Sequence, residues 1–127
     1  MDDDEIALAP TPENIRSARL AVRLFLADPV PVSVAETAVL LASELFANAV
    51  LYACTDQPNA PILLKVTHSA DHVRVEVHDH SSDSPVMSRP EFGPSDQHGM
   101  ILVDTLSTRW GVTPLIDGKF VWFEIDL

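Results

Sequence analysis

The sequence predicts an α/β (α+β) two-layer sandwich, with helices stacked on one face of a mixed, largely antiparallel sheet. Three observations predict it. Two helical periodicities come first, over residues 12–27 and 33–54, the second almost wholly apolar. Two alternating runs, 61–68 and 72–79, follow closely enough to pair as a hairpin. A long irregular stretch and a short helical one then lead into two last strand runs. In a chain of 127 residues, strands separated by helices imply one domain with its helices on one side of a sheet.

Residues 1–11 read as an acidic flexible leader, because Asp2-Asp3-Asp4-Glu5 is a run of like charge best left in solvent. The domain proper is 12–127. Pro10 and Pro12 open the first helix, and Ile15, Ala18, Val22 and Leu26, with Phe25 beside them, set its apolar face. Arg16, Arg19 and Arg23 form a basic stripe, either a solvated face or a partner surface. Asp28-Pro29 and Pro31 end this helix. Ser33-Val34-Ala35-Glu36 has the form of a capping box, which starts the second.

The second helix carries a narrow polar seam, Thr37, Glu44, Asn48 and Tyr52, on an otherwise apolar surface. Glu44 and Asn48 stand four residues apart, so both side chains reach one point. A carboxylate there must be paired, protonated or facing a wet cavity. One reading is a structural hydrogen bond at a helix edge. The other is that Asn48 offers a hard oxygen to a metal while Glu44 orients or deprotonates a nucleophile.

In "HVRVEVHD" the residues Val73, Val75, Val77 and Asp79 share the inward face. An inward Asp beside aliphatic residues needs a specific donor. Asp79 either caps the serine-rich turn that follows or accepts a hydrogen bond from a ligand amine, such as an adenine amino group. Residues of about 80–98, "HSSDSPVMSRPEFGPSDQH", lack periodicity, which marks a lid, a binding loop or disorder. Gly99 then opens a helix over 99–107, and helix N-termini attract phosphates. No Walker A motif is present. Strands over 108–113 and 119–126 are joined through an Asp117-Gly118 turn.

Composition narrows the partners. With 8 Lys+Arg against 19 Asp+Glu, the net charge of −11 disfavours nucleic acid and anionic lipid and leaves a basic protein partner open. Cys54 is the only cysteine, so an intrachain disulfide and a Cys-based zinc site are excluded. The start lacks the positive region of a signal peptide, and no apolar run approaches 18 residues, which together predict a cytoplasmic protein without a membrane span. The five histidines lack fixed ligand spacing and read as scattered surface residues.

Glu44-Leu45-x-x-Asn48-Ala49, then Asp79 ending a strand, then Gly99 opening a helix after a lid-like loop, resembles the GHKL (Bergerat-fold) ATPase superfamily. Within it, "SELFANAV", "VRVEVHD" and "TRWGVTP…GKFVWFEIDL" are similar to the bacterial anti-sigma-factor serine kinase branch. The resemblance implies a single ATP-binding domain over 12–127 whose lid is the 80–98 loop. It also implies Mg²⁺ held by Asn48, Glu44 as general base, Asp79 on the adenine amine, and Gly99 and Met100 at the phosphates. The implied partners are an anti-anti-sigma-type protein, a sigma factor, or both, with a homodimer permitted by the apolar first helix. Where the family usually has Gly-x-Gly, this chain has Gln97-His98-Gly99; Tyr52 replaces a common His; His80-Ser81-Ser82 replaces a glycine-rich run; and Phe120 stands where a small hydroxyl residue near adenine is common. The retained Glu44 favours a kinase; the departures favour a non-catalytic nucleotide-sensing or nucleotide-free binding module. A detached ATP-binding half of a histidine-kinase system ranks third, since no phosphoacceptor helix is present.

Overall fold

The computed structural model describes residues 2–52, 59–81 and 99–127. The elements are β1 (Asp2–Leu8), α1 (Glu13–Phe25), α2 (Val32–Tyr52), β2 (Ile62–His68), β3 (His72–Asp79), α3 (Gly99–Leu106), β4 (Arg109–Leu115) and β5 (Gly118–Asp126). The strands form one sheet in the order β1-β2-β3-β5-β4, and all four ladders are antiparallel. The two-layer sandwich is therefore as predicted, with no parallel pair among the described strands.

Residues 2–8 correct the reading of a flexible leader: they form an edge strand paired with β2 from Asp2↔His68 to Leu8↔Ile62. The cause is a period of two beneath the acidic run. Ile6 and Leu8 pack against the core while Asp3, Glu5 and Ala7 are exposed, so the charge stays in water and the backbone gains a partner.

Alternation sets the inner face of the sheet. Ile62, Leu64 and Val66 from β2, Val73, Val75 and Val77 from β3, and Val121, Phe123 and Ile125 from β5 are all buried. Ala18, Val22 and Leu26 of α1 and Leu41, Leu45 and Phe46 of α2 complete the core from the helical side. α2 touches α1, α3 and β3, which makes it the centre of the upper layer. By length and composition, its Val32–Leu51 stretch is apolar enough to cross a bilayer, contrary to the expectation from the sequence, because Glu44 and Asn48 are diluted among aliphatic neighbours. Its packing is that of a core helix.

The start of α2 also differs from the capping-box reading. Ala35 N–H donates to the Pro31 carbonyl at 3.0 Å, so the first turn begins at Val32 and Ser33 lies inside it. Thr37 Oγ1 donates back to the Ser33 carbonyl at 3.0 Å. Glu36 instead receives Arg23 Nε at 3.0 Å, tying α1 to α2 across their exposed sides. The last hairpin turns at Ile116-Asp117, with Leu115 paired to Gly118, one residue earlier than expected. β4 runs on through Pro114, which an edge strand tolerates because, among the described residues, one side of it makes no ladder bonds.

The outer face of the sheet carries a charged lattice. Arg74 donates to Glu76 and Glu124, both at 2.9 Å, and lies over the Trp122 ring, 4.4 Å from its centroid. Arg109 bridges Glu124 at 2.7 Å and Asp126 at 2.8 Å. Burial pushes the Glu76 and Glu124 carboxyls up, and Arg74 with His78 at Glu76, and Arg109 with Arg74 at Glu124, more than offset it, so both lie below the usual glutamate range. The unfolded chain then binds more protons than the folded one in that range, so this stabilisation is complete above about pH 4.5 and is lost as pH falls through the lower folded values. Arg74→Ala should cost about 1–2 kcal/mol at neutral pH, discounted for partial exposure, and flatten the acid limb of stability. Denaturant melts between pH 3 and pH 7 would show this; an unchanged acid limb would refute it.

Candidate functional site

Three elements position the residues singled out by sequence. α2 lays Glu44 and Asn48 on its half-buried stripe, alongside Leu40, Ala47 and the exposed Leu51. This stripe lies between the buried face of α2 and solvent, so both polar side chains are reachable without leaving a packed helix. Each already has a polar partner within the fold. β3, beneath α2, ends in Asp79, which is 6% exposed and points the same way as Val73, Val75 and Val77. The helix-facing direction predicted for Asp79 is the one observed. α3 starts at Gly99, and Met100, 1% exposed, is part of the core.

Asp79 does cap the following turn, since its Oδ1 accepts Ser81 N–H at 2.8 Å. It also has a partner that the sequence reading missed. Lys119 Nζ donates to the same Oδ1 at 3.0 Å and to the Ser81 carbonyl at 3.1 Å, and it too is buried. The β3–β5 register brings the two together by pairing Asp79 with Lys119 directly. The signal was present in the sequence. Stepping back by twos from Ile125, Phe123 and Val121 lands on Lys119, not on Phe120.

That parity corrects the placement of Phe120. It lies on the outer face, stacked on His78 with ring centroids 4.6 Å apart, and the position beside Asp79 belongs to Lys119. On the same outer side, Ala7, Pro61, Leu63, His78, Leu115 and Asp117 line a cavity of about 280 Å³ at the sheet end, reached also by Asp79 and His80. Its lining is half apolar (Ala7, Pro61, Leu63, Leu115) and half ionisable (His78, Asp79, His80, Asp117).

The histidines make ordinary contacts: His78 Nε2 lies 2.8 Å from Glu76 Oε1, His72 Nε2 lies 3.5 Å from Glu124, and His80 is exposed. Among the described residues, no group of three or more His, Cys, Asp or Glu side chains is placed to hold a metal ion. A divalent ion here would need a ligand's own oxygens beside a single protein oxygen such as that of Asn48, a donor set typical of Mg²⁺ on phosphates. Cys54, the loop residues 82–98 with Gln97 and His98, and the Tyr52 side chain lie outside the described residues.

Gly118 holds this corner together. A Cβ there would overlap the Asp79 carbonyl oxygen and come within 2.9 Å of His80 Cα, so only glycine lets β5 start this close to the end of β3. Gly111 differs in kind, because a Cβ on it would meet the Trp122 side chain, at 2.9 Å.

The fold has solved counterparts. One is the crystal structure of the RsbU and RsbW domains of Rv1364c from Mycobacterium tuberculosis, with a TM-score of 0.74 at 18% identity, covering 98% of this chain and 32% of that one. Another is the histidine kinase domain of the Erythrobacter litoralis EL346 blue-light activated histidine kinase, with a TM-score of 0.59 at 24% identity, covering 91% of this chain and 60% of that one. The chain thus spans about a third of the first protein's length and three-fifths of the second's. No curated protein matches it in sequence. The model of the histidine kinase-like ATPase domain matches residues 8–123, nearly the whole fold described above, and the chain belongs to that family.

Proposed function

We propose that the chain is an ATP- and Mg²⁺-dependent protein serine/threonine kinase of the anti-sigma-factor type, cytoplasmic, acting on an anti-anti-sigma-type protein and sequestering a sigma factor. The observation that carries this reading is the placement of Glu44 and Asn48 on the accessible stripe of α2, over the sheet face in which Asp79 is buried. The residues fit the group they would bind. Asn48 offers a neutral hard oxygen suited to Mg²⁺, Asp79 an acceptor suited to an exocyclic amine, and the backbone at the start of α3, Gly99 and Met100, donors suited to phosphate.

Bound Mg²⁺ supplies neutralisation of the charge on the transferring phosphoryl group. Glu44 takes the proton of the attacking hydroxyl as its oxygen bonds to the γ-phosphorus, and the bond to the β-phosphate oxygen breaks to release ADP. Asn48 fixes the phosphates, and Asp79 fixes the base. The exposed Leu20 and Leu24 on α1, beside Arg16, Arg19 and Arg23, offer surface for a protein partner or a second copy of the chain. Support for a partner protein, as opposed to a small substrate, is the family membership together with the strongly acidic balance of the whole chain.

A second reading, a non-catalytic nucleotide-sensing or nucleotide-free binding module, is favoured by one observation: Asp79 is already engaged by Lys119. Titration calorimetry with ATP, with and without Mg²⁺, separates the two. The kinase reading expects binding that Mg²⁺ strengthens. No heat at millimolar ATP would remove the kinase and leave the binding module.

A further inference from the structure

Lys119 is a buried cation that none of these steps uses. Its side chain is 4% exposed and that of Asp79 is 2% exposed, so the ion pair is shut away from water. Three hydrogen bonds close a ring: Lys119 Nζ to Asp79 Oδ1, Lys119 Nζ to the Ser81 carbonyl, and Ser81 N–H back to Asp79 Oδ1. The β3–β5 ladder imposes this meeting, so it does not depend on a mobile surface rotamer. A charged lysine survives such burial only where acceptors meet it.

Resting on the ATP reading, we propose that Lys119 is an internal occupant of the base end of the site. Its ammonium holds the carboxylate that the exocyclic amine of adenine would approach, so nucleotide affinity is set by competition between Lys119 and the base. The two competitors are unequal. The ammonium is charged, already in place and part of the same chain, whereas an aromatic amine is neutral and must be recruited from solution. Drawing Asp79 away would leave the buried ammonium with the Ser81 carbonyl as its remaining bond of this ring. Lys119 therefore lowers affinity for adenine nucleotides and ties the loss of its bond to Asp79, directly before the Ser81 turn, to nucleotide entry.

The test is titration calorimetry of Mg-ATP into the full chain, comparing wild type with Lys119→Thr, Lys119→Gln and Lys119→Arg. Lys119→Thr removes the cation and leaves room for a base and water, so it should bind roughly tenfold or more tightly than wild type. Lys119→Arg keeps the charge and should stay within about threefold of wild type, with Lys119→Gln between them. Thermal melts report whether each variant folds; if Lys119→Thr does not, Lys119→Gln retains a donor for Asp79 and carries the comparison. Equal or weaker binding by the neutral variants overturns the proposal and leaves the ATP reading in place, weaker binding marking Lys119 as a group that assists the base. Absence of binding by every folded variant overturns both. Tighter binding without phosphoryl transfer to any protein removes the kinase and keeps the role of Lys119.

Discussion

Glu44→Gln should leave Mg-ATP binding within about twofold of wild type while lowering phosphoryl transfer roughly 10²–10⁴-fold. The asymmetry follows from position and shape. Glutamine matches glutamate in length and volume, so the half-buried stripe of α2 keeps its packing, and Asn48, one turn later, keeps its place. The anionic proton acceptor is lost. Calorimetry and a transfer assay with an anti-anti-sigma-type protein measure the two effects separately. Equal transfer rates for the variant and wild type would show that Glu44 is a structural hydrogen-bonding residue, the simpler of its two sequence readings.

Gly118→Ala should destabilise the protein by about 3 kcal/mol, or lower its melting temperature by about 10 °C. The new methyl group would overlap the Asp79 carbonyl and crowd His80 Cα. Both are backbone, so no rotamer change relieves them and the strand ends must part. Since Lys119 is the next residue, the displacement also loosens its bond to Asp79. Gly111→Ala is the internal control: its obstruction is the Trp122 side chain, which can yield, so its cost should be smaller. Comparable melting temperatures for the two variants would show that the β3–β5 corner is more pliant than its contacts imply.

The elements with strong periodicity were legible from sequence. The apolar stripe of α1, the long α2 and the alternation of β2 and β3 all form where residue spacing puts them. Elements were misread where a local signal masked a periodic one. In β1 the acidic run hid the alternation of Ile6 and Leu8; β4 runs on through Pro114 to Leu115, past the expected end at Thr113, as an edge strand can. The site shows the same division. Glu44, Asn48 and Asp79 were visible as polar residues in apolar patterns, whereas the Asp79–Lys119 pair required the register between two strands forty residues apart in sequence. A slip of one residue changes the face of every side chain, so only the observed register shows that Lys119, and not Phe120, faces Asp79.

The two borders of the sheet bear on how the protein keeps from aggregating. Among the described residues, β1 and β4 each leave one side of their backbone without a strand partner, the usual starting point for edge-to-edge stacking of chains. On β1 the Asp2-Asp3-Asp4-Glu5 run would bring like charges together if a second β1 approached; on β4, Pro114 interrupts the row of donors that a foreign strand would need. The acidic stretch that looks like a disposable tail is thus a gatekeeper built into the fold. Neutralising it with asparagine and glutamine should leave the strand intact and open it to fibrillar growth.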